Sequence, residues 1–354
     1  MLSRVEPGLL PATIEVPGSK SHANRYLILA ALWGDREVAA LPSSQDVVAM
    51  VEALRAVGVG LEISGDVVRV TAPFPACESS EAGPLVVEVG EGGTTARFLT
   101  AMLATGRRRY VLRLAGRLAQ RPWEELLAAL RESGAHAVLE GDSVVVQGPV
   151  DWKRLPSSVD AGRSTQFASA LQLAGAREGV TLTPMSMTGS QAYWQLTLAA
   201  CEEVARAPRV VVPRDWSSAS YPLALAAVTN QRTFLPGLQR DGLQADAFFG
   251  EWLEARGALR FGPEGVHAQA LTDRRPCRLD LSPCPDLTPA MAFVCAHLEG
   301  DSLLSGLGAL VHKESDRLSE IKRLLRACGV EVRSDDGTLS IRGGTAGGPW
   351  GLQP

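Results

Sequence analysis

The sequence predicts an α/β protein of two domains, each built from copies of one strand–helix–strand–helix–hairpin unit. Three observations lead there. Four segments repeat one short pattern, a helix ending Leu-x-x-x-Gly-(Val/Ala) followed by an alternating stretch. Five other helix starts recur between them at a spacing of about 70 residues, with one shorter step. The 354 residues are 45% hydrophobic and 21% charged, enough apolar material for two ordinary cores, which excludes a disordered chain.

The repeated helix ends are LRAVGV (Leu54 to Val59), LRESGA (Leu130 to Ala135), LEARGA (Leu253 to Ala258) and LRACGV (Leu325 to Val330). The glycine suits the position just past a helix, where a left-handed backbone is needed. Stretches such as AVLEGDSVVVQG and VEVRSDDGTLSIRG alternate around Gly or Asp turns and read as β-hairpins. The long interval between Gly134 and Gly257 hides a degenerate copy, the helix from Gln191 to Ala205. The second kind of helix has a polar start and an Ala- and Leu-rich body. Its starts lie at Lys20, Thr94, Ser164, Asp215 and Asp286. Three units fill a first domain over residues 14–212; residues 1–13 and 213–354 form the second. Ser3 to Pro17 reads as a hairpin of the last unit. One more step of about 70 residues from Asp286 passes Pro354. Five of six units are therefore expected, with the second domain incomplete at its C-terminus.

A formal net charge of -4 argues against a nucleic-acid binder but leaves room for an anionic small substrate held by local Lys and Arg. Six cysteines without a C-x-x-C pair read as reduced thiols of a cytoplasmic protein. The N-terminus lacks the apolar region of a signal peptide, and no apolar run is long enough to span a membrane.

The helix starts carry the chemistry. PGSKSHANR puts Lys20 and Ser21 at a helix N-terminus, with Arg25 one turn on. Free N–H groups and the positive dipole end favour an anion there. GEGGTTARF offers a close backbone approach at Gly92 and Gly93, with Arg97 on the first turn. DAGRSTQF clusters Ser164, Thr165 and Gln166. Each alone is also an ordinary helix start; three at matching repeat positions would converge on one point. CPDLTPAMAF places Asp286 at a fourth start, and HKESDRLSEI sets Lys313, Glu314 and Arg317 together, with Glu314 and Arg317 on one helix face. Two carboxylates facing Lys and Arg residues suit proton transfer beside an anion.

GSKSHANR, GGTTARF, RPW, STQF, the Tyr of GSQAYW and KESDRL occur in the order found in EPSP synthases, and the chain resembles that family from about Thr13 to Gly343. The resemblance implies a two-domain, inside-out α/β barrel-like enolpyruvyl transferase fold of βαβαββ units, with the active site in a cleft between helix N-termini. It implies transfer of the enolpyruvyl group of phosphoenolpyruvate to the 5-hydroxyl of shikimate-3-phosphate, with release of phosphate, on the route to aromatic amino acids. By position, Ser21, Arg25, Ser164, Thr165, Gln166, Ser190, Tyr193, Asp286 and Lys313 would hold shikimate-3-phosphate. Lys20, Gly93, Arg121, Gln166 and Arg317 would hold phosphoenolpyruvate. Asp286 and Glu314 would move protons, and Lys20 would steady developing charge. No metal or cofactor is implied, nor a nucleic-acid or membrane partner, and a monomer is expected.

Three departures stand out. Glu91 and Ala309 each replace an Asn of many relatives, and the family's later Asp-His-Arg helix and C-terminal Lys have no counterpart. A chain that binds shikimate-3-phosphate without turnover is the alternative expectation. The sister UDP-N-acetylglucosamine enolpyruvyl transferases fit less well: they carry Lys-Asn where Lys20-Ser21 stands, and a loop Cys that LAGRLAQRP lacks.

Overall fold

The computed structural model describes residues 8–76, 83–187, 189, 191–313, 315–335 and 337–344. The chain forms two compact bodies. One is Pro17–Pro213 with the short segment His312–Ser315; the other comprises the N-terminal stretch to Val16, Arg214–Val311, and the chain from Asp316 onward.

The first body opens with α1 (Lys20–Trp33), β1 (Arg36–Ala39), α2 (Gln45–Ala56) and the hairpin β2 (Gly60–Ser64) and β3 (Val67–Ala72). A second copy follows as β4 (Leu85–Glu88), α3 (Gly93–Leu103), β5 (Arg109–Arg113), α4 (Glu124–Glu132), β6 (His136–Glu140) and β7 (Ser143–Gln147). The third is β8 (Ser158–Asp160), α5 (Gln166–Ala174), β9 (Thr183–Met185), α6 (Gln191–Arg206) and β10 (Arg209–Val211). This copy lacks the hairpin. Pro208 and Pro213 bracket a single short strand, which leaves its own unit and pairs in parallel with β1. The first sheet runs β10-β1-β3-β2 and the second β4-β5-β7-β6, while β8 and β9 stand as a pair.

The second body contains α7 (Trp216–Val228), β11 (Thr233–Pro236), α8 (Phe248–Ala255), β12 (Leu259–Gly262) and β13 (Gly265–Ala268). Then come β14 (Arg278–Asp280), α9 (Thr288–Cys295), β15 (Asp301–Ser305), α10 (Arg317–Ala327), β16 (Val332–Asp335) and β17 (Thr338–Arg342). Its sheets run β11-β13-β12 and β14-β15-β17-β16. Within Ser3 to Pro17, where a hairpin is expected, residues 8–16 do not fold back. Thr13 bridges Phe234 in parallel, because Phe234 donates to Ala12 O at 2.8 Å and Ile14 donates to Phe234 O at 2.9 Å. That places the stretch as the opening strand of the fourth copy, so all five copies begin with a parallel pair.

The two kinds of helix divide the work of burial. Every residue of α1 from His22 to Leu32 is buried, and α3 and α5 are nearly as enclosed. Helices apolar all round belong inside a body, and these three pack on one another. By contrast α2 and α10 bury single stripes, Val47/Met50/Val51/Leu54 and Leu318/Ile321/Leu325, at helical spacing. The repeated glycines Gly58, Gly134, Gly257 and Gly329 all have φ between 72° and 90°, the left-handed backbone that ends each helix. Among the described residues, no helix is long and apolar enough to cross a membrane.

Candidate active site

Two helix starts of the second body carry side-chain caps that the starts of α1 and α3 lack. Asp316 caps α10, accepting from Ser319 N at 3.1 Å, and Asp215 caps α7, accepting from Ser218 N at 2.8 Å. At α1 and α3 the residues before the helix, Ser19 and Gly92, make no side-chain cap. Their first-turn amides keep the capacity to bind an anion.

A chain of contacts links three of these starts. Lys20 Nζ lies 2.9 Å from the carboxylate of Asp46 on the first turn of α2, and Thr95 Oγ1 donates to Asp46 O at 3.0 Å. A side chain on Gly92 would meet that carboxylate at 2.8 Å, so α3 begins directly against Asp46. From α3, Arg97 reaches α5. Its guanidinium is buried between Trp123 and Phe167, 5.2 and 5.1 Å from the two ring centres. It donates to Gln166 Oε1 and, at 2.7 Å, to Pro122 O. Gln166 Nε2 in turn donates to Thr94 Oγ1 at 3.1 Å.

Gly93 sits inside this group. A methyl there would lie 2.8 Å from Arg121 Nη1 and 2.9 Å from Arg97 Nη1. Arg121 follows the 3-10 turn Leu118–Gln120 in an extended conformation, and α4 starts only at Glu124. Lys20 thus pairs with Asp46 beside the start of α3, and Arg97 and Arg121 flank Gly93 one residue further on. This arrangement suits a carboxylate or phosphate ligand.

Arg25 plays a different part from a simple surface cation. It is 2% exposed, and it donates to Thr197 Oγ1 at 2.9 Å, Ser21 O at 2.8 Å and Tyr193 O at 3.1 Å. Burial pulls its guanidinium down to about 10, still charged at neutral pH. Thr197 Oγ1 continues the network to Ser169 Oγ at 2.8 Å, so α1, α5 and α6 are tied together around Ser21, Arg25 and Tyr193. Ser164 Oγ accepts from Gln166 N at 3.2 Å, and Thr165 beside it is buried. Ser190 lies outside the described residues.

In the second body, Arg317 Nη1 donates to Asp286 Oδ1 at 2.6 Å. The sequence puts Glu314 and Arg317 on one helix face. Instead α10 starts at Arg317, because Asp316 turns its carboxylate onto the first turn and ends the preceding chain there. Glu314 is outside the described residues. Lys313, half-buried, falls in the segment that groups with the first body. Glu91 is exposed with its carboxyl against Gly116, and Ala309 sits exposed on the 3-10 helix Gly308–His312. Among the described residues, no group of three or more His, Cys, Asp or Glu could hold a metal.

The sequence places Arg97 on the first turn of α3 without assigning it a ligand, and it passes over Asp46. Arg97 has a usable signal, a full charge in the otherwise apolar helix GTTARFLTAML. Asp46 has none, since an acidic residue in the first turn of an amphipathic helix is ordinary.

The family model described as EPSP synthase (3-phosphoshikimate 1-carboxyvinyltransferase) matches residues 6–198 and 188–351. A 3-phosphoshikimate 1-carboxyvinyltransferase of Syntrophobacter fumaroxidans is 34% identical over 99% of this chain and 88% of its own length. One from Aeropyrum pernix is 34% identical over 96% of this chain and 82% of its own. Among solved structures, EPSP synthase from Acinetobacter baumannii superposes with a TM-score of 0.70 at 22% identity, covering 97% of this chain and 84% of that one. The enolpyruvyl transferase NikO from Streptomyces tendae gives 0.68 at 18% identity, over 95% and 83%. These two establish the fold, a two-domain α/β enolpyruvyl transferase architecture. The family models and relatives span both bodies, and the chain belongs to the EPSP synthase family.

Proposed function

We propose that the chain transfers the enolpyruvyl group of phosphoenolpyruvate to the 5-hydroxyl of shikimate-3-phosphate, releasing phosphate. The observation that carries this reading is the cluster around Gly93. Arg121 and Arg97 flank a glycine whose missing side chain leaves room for an anion. Gln166 is held at its edge by Arg97 and Thr94. Family membership over nearly the whole chain supports the same reaction.

The roles follow from charge and position. Lys20, Gly93, Arg121, Gln166 and Arg317 take phosphoenolpyruvate. Ser21, Arg25, Ser164, Thr165, Gln166, Ser190 and Tyr193 take shikimate-3-phosphate, with Asp286 and Lys313. The 5-hydroxyl adds to C2 of phosphoenolpyruvate as C3 accepts a proton, which gives a tetrahedral adduct. Loss of a C3 proton then expels phosphate. Asp286 and Glu314 are the carboxyl groups for these transfers, and Lys20 offsets negative charge as it develops. The pair with Arg317 holds the Asp286 carboxylate in place.

A phosphate-release assay tests the proposal. Phosphate appears only when both substrates are present, and the organic product carries a carboxyvinyl ether. Saturable binding of both substrates with no phosphate released would overturn the transfer reading.

A further inference from the structure

Two thiols that the proposed reaction does not use lie in contact in the second body. Cys277 stands one residue before β14 and Cys295 closes α9, with their sulfur atoms 3.6 Å apart. Cys277 is 6% exposed and Cys295 fully buried. Ser302 Oγ on β15 accepts the Cys277 N–H at 3.2 Å, which pins the backbone of one thiol. Cys201, Cys284 and Cys328 show no such pairing among the described residues.

We propose that Cys277 and Cys295 form an oxidative modification site, a dithiol that a small hydroperoxide closes to a disulfide. Closing the bond needs a sulfur–sulfur approach from 3.6 Å to about 2.0 Å. The roles of the two sulfurs are unequal. The contact with Cys295, joined by Ser302 and the nearby Arg256, outweighs burial and draws the Cys277 thiol down to about 7. The same contact pushes Cys295 up. Cys277, 6% exposed where Cys295 is fully enclosed, is the sulfur a peroxide reaches first, and its lowered pKa suits it to attack.

Its sulfur takes the outer oxygen of the peroxide as the O–O bond breaks. The leaving alkoxide or hydroxide picks up a proton, and Cys277 becomes a sulfenic acid. The Cys295 sulfur then displaces that hydroxyl group, which leaves as water with the Cys295 proton. Two thiols and one hydroperoxide give one disulfide, one alcohol (or water) and one water, and the two electrons end in the broken O–O bond. The cross-link closes the loop that contains Asp286, joining the entry of β14 to the end of α9.

The test uses the full chain, folded, treated with hydrogen peroxide and then alkylated with N-ethylmaleimide before peptide mass mapping. The expected result is a peptide pair joined through Cys277 and Cys295, with two of the six thiols lost and both restored by dithiothreitol. Cys201→Ser/Cys328→Ser removes the two half-buried thiols among the described residues and leaves the cross-link unchanged. In Cys295→Ser, Cys277 stops at a sulfenic acid that dimedone traps. Recovery of Cys277 and Cys295 as alkylated or over-oxidised residues, with no cross-link in the wild-type protein, would overturn the proposal. Loss of the cross-link in the double variant would overturn it too.

Discussion

Arg97 sets the orientation of Gln166. Its Nη1 donates to Gln166 Oε1, which turns Nε2 toward Thr94 Oγ1 at 3.1 Å. The guanidinium is itself fixed by Pro122 O at 2.7 Å and by the rings of Trp123 and Phe167. One planar fork thus ties α3, α5 and the Arg121–Pro122 segment together. Lysine keeps the charge but not the fork. For Arg97→Lys, loss of a charge-assisted bond of about 1.5–3 kcal/mol predicts a kcat/KM for phosphoenolpyruvate roughly 10- to 100-fold lower. Steady-state phosphate release reads this, with a urea unfolding curve to separate it from lost stability. An unchanged KM for phosphoenolpyruvate would show that Gln166 needs no such support.

Gly93→Ala tests the space beside Arg121. The new methyl lies 2.8 Å from Arg121 Nη1 and 2.9 Å from Arg97 Nη1, so one guanidinium has to retreat. Arg97 is locked by two rings and two carbonyl oxygens, which leaves Arg121 to move. Overpacking of this kind costs about 1–3 kcal/mol, here felt where the anion binds. The KM for phosphoenolpyruvate should rise about 10-fold or more, with that for shikimate-3-phosphate little changed. Equal rises in both constants would argue for a general distortion.

Lys20 and Asp46 separate stability from activity. Their side chains are 48% and 24% exposed, so the pair contributes under about 1 kcal/mol to folding. Its value is to hold a long side chain in one place, which otherwise costs up to about 2 kcal/mol of rotamer entropy on binding. Asp46→Asn should leave the urea midpoint nearly unchanged and raise the KM for phosphoenolpyruvate about 3- to 10-fold. A large loss of stability would mean that Asp46 matters chiefly through Gly92 and Thr95.

The repeat was legible because its punctuation is local. Gly58, Gly134, Gly257 and Gly329 each take a left-handed backbone that few other residues accept, so the four helix ends stand out in the chain. The buried helices were legible from their Ala- and Leu-rich bodies. What the sequence hides is long-range. Nothing near Arg209–Val211 says that this strand leaves its unit to pair with Arg36–Ala39, or that Thr13 pairs with Phe234. The site divides the same way. Lys20, Ser21 and Gln166 show themselves by sitting at helix starts. Arg97 and Asp46 gain their meaning from partners 69 and 49 residues away, which no local pattern encodes. Lys313, Glu314 and Arg317 have helical spacing in the sequence, yet one carboxylate, that of Asp316, decides where α10 begins.

Asp286 is the proposed base whose geometry is on view, with its Oδ1 2.6 Å from Arg317 Nη1. Asp286→Asn keeps the shape and one acceptor but removes the basic oxygen. General acid–base catalysis is worth about 100- to 10,000-fold, so kcat should fall in that range while both substrates still bind. Single-turnover phosphate release with calorimetric binding distinguishes the two effects. A kcat within a few fold of wild type would move the proton-transfer role away from Asp286.

Capped and uncapped helix starts should respond differently to substitution and to anions. Asp215 and Asp316 each accept both a backbone N–H and a serine hydroxyl, at 2.8 and 2.6 Å for Asp215 and 3.1 and 2.7 Å for Asp316. Replacing either by Ala should cost about 1 kcal/mol of unfolding free energy. Ser19 makes no cap on α1, so Ser19→Ala should cost well under that. At α1 and α3 no side chain caps the first-turn amides, so an added anion should stabilise these starts and not the capped ones. Inorganic phosphate, titrated during thermal melts, should raise the Tm of the wild-type chain, as a ligand of the folded state must. The same rise should persist in Asp215→Ala and shrink in Gly93→Ala. If it shrinks in Asp215→Ala instead, the anion binds at α7, and the uncapped starts of the first body are not its site.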